Sequence, residues 1–149
     1  MKPESSKSTT DTPSVGVTIG ESGYASQIRV RNHSLRADEP RTVGGTDSGP
    51  TPYELLLASL GTCVAMTTRM YADRKGWPLT GVSVNLSQDR VHAEDRREGE
   101  RASGPVLRIT KRLELQGDLA EEQRSRLMEI ADRCPVQRSL LSEIQIRTV

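Results

Sequence analysis

Thr51-Pro52-Tyr53-Glu54-Leu55-Leu56-Leu57-Ala58-Ser59-Leu60-Gly61-Thr62-Cys63-Val64-Ala65-Met66-Thr67-Thr68 is the stretch that decides the fold. It opens as a helix should. Thr51 suits the N-cap, Pro52 the first helical position, and Glu54 stands where a capping-box carboxylate reaches back to the cap. The pattern continues to Lys75, where Gly76 and Pro78 end it. From Leu55 to Thr68 there is no charge, and the apolar residues fall on every side of the helix. Such a helix is expected to be buried all round. The uncharged part is shorter than a bilayer requires, so a core helix and no membrane association is the expectation.

Strand signals flank this helix. Before it, Val15 to Ile19 and Gln27 to Arg31 alternate apolar and polar residues, with a short further strand expected near Leu35. Gly44, Gly45, Gly49, Pro40 and Pro50 mark the intervening residues as loop. After it, Val82 to Leu86 alternates, with the pattern running toward His92, and so does Val106 to Leu115. The charged stretch 94–104 between them reads as a hairpin loop. Asp118 with Glu121 reads as the cap of a second helix from Leu119 to about Arg133, in which Leu127, Ile130, Ala131 and Cys134 share a face. Pro135 breaks it and starts a short helix to Ser142. Ile144 to Val149 reads as a closing strand. Residues 1–13 are rich in Ser, Thr and Pro and are expected to be a disordered tail, leaving 14–149 as a single domain. Segregated strands and helices make the fold class α+β.

Composition narrows the function. The 149 residues carry a formal net charge of +1, which gives no electrostatic footprint for nucleic acid. The hydrophobic fraction is 34%, with no Phe, one Trp and three Tyr, a lean core that oligomerisation would supplement. No apolar leader opens the chain, so the expected location is cytoplasmic, where paired thiols are normally reduced and a disulfide is transient and catalytic or sensory.

The two cysteines, Cys63 and Cys134, are the residues best suited to carry chemistry. By residue type alone both also read as small core residues. His33 and His92 are the only histidines, and no pair of them with the cysteines has structural-zinc spacing, so no metal is expected.

The motif from Gly49 to Cys63, followed by Met70 to Pro78 and Arg133-Cys134-Pro135-Val136, resembles the OsmC/Ohr family, and within it the OsmC-like branch. The resemblance runs from about residue 15 to the C-terminus. It implies a bent antiparallel sheet with a long buried central helix in an intertwined homodimer. It implies a thiol-dependent peroxidase for organic hydroperoxides, recycled by a dithiol or a lipoylated protein, with no cofactor. It also leaves room for a non-catalytic stress-response or small-molecule-binding protein on the same dimeric fold.

Carried over by position, Cys63 is the peroxidatic cysteine and Cys134 the resolving one. The chemistry needs a thiolate, and an apolar helix interior disfavours one, so a cation must be brought to Cys63. The family supplies an Arg paired with a Glu. Arg41 is the first candidate here, with Arg29, Arg31, Arg36 and Arg138 as alternatives. In similar peroxidases the paired Glu stands at the position Tyr53 occupies; Glu54 is one residue further along, a rotation of about 100° on a helix. Cys134, at the N-cap of a helix that starts with Pro135, is expected to be the more acidic thiol. Leu57, Leu60 and Met66 are expected to line an apolar substrate pocket.

Overall fold

The computed structural model describes residues 14–91 and 106–149. The tail 1–13, His92 and the charged stretch 94–104 lie outside the described residues. The chain forms two compact units, one ending at Leu55 and the other running from Leu56 to Val149.

In the first unit, β1 (Gly16–Ile19), β2 (Ser26–Val30) and β3 (His33–Ala37) form an antiparallel sheet in chain order. The short strand expected near Leu35 is β3. Alternation sets the register: Val17 pairs with Ile28, and Ile28 with Leu35, so one apolar row crosses the sheet. That row is largely uncovered within the chain, with Val17 61% and Leu35 50% exposed. The loop after β3 is organised by Asp38. Its carboxylate accepts from the backbone N–H of Glu39, Thr46 and Ser48 and from the hydroxyls of Thr46 (2.6 Å) and Ser48 (2.8 Å).

The long helix α1 (Pro52–Lys75) begins and ends where its sequence signals stand. Thr51 N–H donates to Glu54 Oε2 at 2.7 Å, and Glu54 N–H donates to Thr51 Oγ1 at 3.2 Å, which closes the capping box. Gly76, at φ 65°, ends the helix in the left-handed conformation that favours glycine, and Trp77 N–H returns to the Ala72 carbonyl.

The second unit packs one side of α1 on a long antiparallel hairpin, β4 (Leu79–Val91) with β5 (Val106–Gly117), and on two helices, α2 (Glu121–Ala131) and α3 (Pro135–Leu140). Gly61 sits where a Cβ would meet Leu86 Cδ1 at 2.7 Å, so its lack of a side chain lets β4 come close. One apolar cluster joins Leu60, Val64, Ala131 and Cys134; a second joins Ala72, Leu79, Leu119 and Leu127. The shared face expected for Leu127, Ile130, Ala131 and Cys134 is present, and all four are buried.

Three expectations are corrected. Helix α1 is not buried all round: its buried residues are Leu60, Gly61, Val64, Thr68 and Ala72, a single stripe, while Met66 and Met70 are 60% and 62% exposed. In this unit the hairpin, α2 and α3 cover only that stripe. By length and composition alone α1 could also cross a bilayer, but the stripe packed into both clusters is that of a core helix. Asp118 does not cap α2. Ala120 is the N-cap, its N–H bound by Gln123 Oε1 at 2.9 Å, because the helix starts two residues later than its charge pattern suggests. Ile144 to Val149 is not a strand. It is exposed throughout, and alternation without a strand to pair against leaves a segment irregular.

Candidate functional site

The structure brings the two cysteines into one apolar cluster of the second unit. Cys63, on α1, is partly buried and packs against the cluster that holds Cys134. Cys134, at the α2–α3 junction, is 0% exposed. Both are free thiols. Val84 and Leu86 from β4 and Ile109 and Leu113 from β5 pack against the same cluster.

Cys134 is the N-cap of α3, as its sequence predicts. Pro135 follows in the first turn, and Gln137 N–H donates to Cys134 Sγ at 3.3 Å. The expectation that this cap setting favours the Cys134 thiolate is corrected. Burial is the largest influence and pushes the thiol up, and its interaction with Cys63 pushes the same way. The Gln137 N–H and the charge of Lys111 pull it down without offsetting burial. A single N–H from a short helix is a smaller effect than removal from water.

Lys111 was not singled out in the sequence, yet it is the cation whose charge acts on Cys134. It lies on β5, its side chain only 17% exposed. Its Nζ donates to Gln137 Oε1 at 2.7 Å, to Asp132 Oδ1 at 2.8 Å and to the Ala131 carbonyl at 3.5 Å. The signal was available in the alternation of β5. Leu107, Ile109, Lys111, Leu113 and Leu115 stand on its inward face, and Lys111 is the one charge among them.

A cleft of about 380 Å³ opens beside this cluster, lined by Leu56, Leu60, Leu107, Ile109, Lys111, Gln137, Leu140 and Leu141. Of the expected pocket residues, Leu60 lines it. Leu57 is partly buried on α1 outside the lining, and Met66 is on the exposed side of the helix. The neighbours of Leu57 on the same helix turn, Leu56 and Leu60, take the role in its place.

The other expected site residues fall as follows. Arg41 is exposed and starts a 3-10 turn, Arg41–Val43, in the first unit. Arg29 on β2, Arg31 after it and Arg36 on β3 are exposed in the same unit. Glu54 is engaged by the capping box through Oε2. Arg138 is exposed on α3, and His33 is exposed on β3.

The sequence profile of the OsmC-like protein family matches residues 45–149. Among solved structures, the chain is similar to an OsmC-like protein from Mycoplasma pneumoniae, with TM-score 0.68, 18% identity and 90% of each chain covered. It is also similar to an organic hydroperoxide resistance protein OsmC from Legionella pneumophila, with TM-score 0.62, 18% identity, and 89% of this chain and 90% of that chain covered. A third likeness is to an organic hydroperoxide resistance protein from Elizabethkingia anophelis, with TM-score 0.62, 17% identity, and 89% and 90% covered. These likenesses establish the fold, α+β with a bent antiparallel sheet and a long helix. Among curated proteins, no sequence matches.

Proposed function

This chain belongs to the OsmC-like protein family, and from that premise we propose that it is a thiol-dependent peroxidase of organic hydroperoxides. The Cys63 thiolate attacks the terminal peroxide oxygen. The O–O bond breaks, the alkoxide leaves and takes up a proton, and Cys63 becomes a sulfenic acid. Cys134 then displaces water from that sulfur to form a disulfide, which a dithiol or a lipoylated protein reduces. The observation that carries this reading is the packing of two free thiols into one apolar cluster beside an apolar cleft. A greasy peroxide fits such a cleft better than hydrogen peroxide does.

Arg41 is the proposed cation for the Cys63 thiolate, with Glu54 as its partner. The capping box engages one oxygen of Glu54, and a carboxylate accepts at both. A homodimer of single-domain subunits is proposed too. The exposed line Ala58, Thr62, Met66 and Met70 on α1, at helical spacing, and the exposed Ile144 and Ile146 support it. Light scattering on the purified protein reads its mass directly, and a monomer would remove it. Free thiols fit a reducing cytoplasm, the proposed location.

Cumene hydroperoxide added to reduced protein is expected to disappear with loss of two thiols per peroxide and a Cys63–Cys134 disulfide in the peptide map. Cys63→Ser is expected to lower the rate by roughly a hundredfold or more, as loss of a nucleophile does. Full activity in that variant would sink the assignment.

A second reading, a non-catalytic binding protein on this fold, is favoured by the burial that raises the Cys134 thiol and by the use of Glu54 as a cap. Thiols inert to cumene hydroperoxide, in a folded protein that still takes an apolar probe into the cleft, would select it.

A further inference from the structure

Lys111 breaks the rule of its own strand. Neighbouring inward positions of β5 are Ile109 and Leu113, and both pack on the thiol cluster. An ammonium at 17% exposure costs free energy unless it is paired and hydrogen-bonded. Each of its three donors has a protein acceptor. No donor is left over for an anionic substrate, so the residue acts inward even though it lines the cleft.

What it grips is specific. Ala131 ends α2, Asp132 is the C-cap of α2, and Gln137 lies in the first turn of α3. These acceptors bracket Cys134 in the sequence. Gln137 closes the ring: its Nε2 donates to the Asp132 carbonyl at 3.2 Å, and its backbone N–H donates to Cys134 Sγ. The ammonium also sits at the C-terminal end of α2, where the helix dipole favours positive charge.

We propose that Lys111 is a positioning residue for the resolving thiol, holding the α2–α3 junction so that Cys134 is presented to the oxidised Cys63 beside a fixed positive charge. The proposal rests on the peroxidase reading for its kinetic consequence. In that step the Cys134 thiolate attacks Cys63 Sγ. The S–S bond forms, the S–O bond breaks, and hydroxide leaves and is protonated by solvent to water. The sulfur of Cys134 is oxidised and that of Cys63 reduced, with the hydroperoxide of the preceding step as the oxidant.

The groups that bear on Cys134 come from each packed element: Cys63 from α1, which opposes ionisation, Lys111 from β5, which favours it, Gln137 N–H from α3, and Asp132 at the end of α2, paired to Lys111. In the Cys63→Ser background the Cys134 thiolate is titrated by its absorbance at 240 nm, a readout that needs no reagent to enter the core. Lys111→Met is expected to move the midpoint up, leaving less thiolate at neutral pH. Lys111→Arg, which keeps the charge, is expected to stay near the parent. With both cysteines present, Lys111→Met is expected to close the disulfide about tenfold more slowly after one equivalent of cumene hydroperoxide, with sulfenic acid accumulating and trapped by dimedone. An unmoved midpoint in Lys111→Met overturns the proposal. So does failure of both Lys111→Met and Lys111→Gln to fold, which would make the residue structural only. If the parent protein consumes no peroxide, the peroxidase reading fails while the titration still decides the role of Lys111.

Discussion

Among the described residues of the unit that ends at Leu55, the most buried side chain is a carboxylate, Asp38 at 2% exposure; in the unit from Leu56 onward, Leu127 and Val64 are sealed at 0%. The second unit also buries a charge, Lys111, but satisfies it differently. The donors to Asp38 come from residues 39 to 48 of one loop. The acceptors of Lys111 come from α2 and α3, after the chain has left β5 and turned back on it. A buried charge satisfied within its own loop organises that loop and little else. One satisfied across elements ties the packing of several elements to a single side chain, and here that packing encloses a thiol.

The widest gap between the units should show in Leu127→Ala. It removes a fully buried side chain that joins α2 to the end of α1 and the start of β4, and is expected to cost about 2–5 kcal/mol in urea unfolding. A cost near zero would break the view that apolar packing carries the second unit. A smaller effect, confined to the first unit, is expected from Asp38→Asn. The Thr46 hydroxyl and the Ser48 N–H, with the Ser48 hydroxyl and the Glu39 N–H, hold the Asp38 carboxyl well below the usual carboxylate range against the opposing effect of burial. The unfolded chain therefore takes up this proton more readily than the folded one. The stability Asp38 contributes is fully present above its unfolded value, about 3.9, and is lost as the pH falls below it. The protection of the Thr46 and Ser48 amides, taken relative to their intrinsic exchange rates, should fall as the pH drops below about 4 in the parent and be low on both sides of that value in Asp38→Asn. Unchanged protection would remove the loop role.

The smallest effect is expected at Glu54, another local device. Glu54→Ala should destabilise by about 1 kcal/mol through loss of the capping box, while Glu54→Gln keeps an acceptor for Thr51 N–H and most of that stability. A Glu54→Gln protein that melts like the parent but reduces peroxide far more slowly would assign the carboxylate to the site as well as to the cap.

Local signals were the legible ones. Thr51, Pro52 and Glu54 fixed the start of α1 and Gly76 its end, because caps and breakers act within one turn. Alternation found β1, β2, β4 and β5, and β3 was expected only as a short strand near Leu35. Pro135 placed Cys134 at a cap, and the family resemblance paired it with Cys63. The misses share a cause. How much of α1 is covered, whether Ile144 to Val149 finds a strand to join, and whether the cap of α3 outweighs burial of its thiol all depend on what packs against a residue from far along the chain. Lys111 was visible as a charge out of pattern, but only the fold shows that the face it interrupts packs on the cluster that brings the two cysteines together. Asp38 is a loop hub whose donors, Thr46 and Ser48, stand eight and ten residues on, beyond the one-turn reach of the Gly and Pro signals that mark its loop.

The full burial of Cys134 decides the order in which the two sulfurs meet reagents. A solvent-borne oxidant or alkylating agent cannot touch Cys134 while the second unit stays folded. Irreversible damage by excess peroxide must therefore begin elsewhere. A thiol count on the native protein should rise in two stages, the second governed by opening of the structure and the first not.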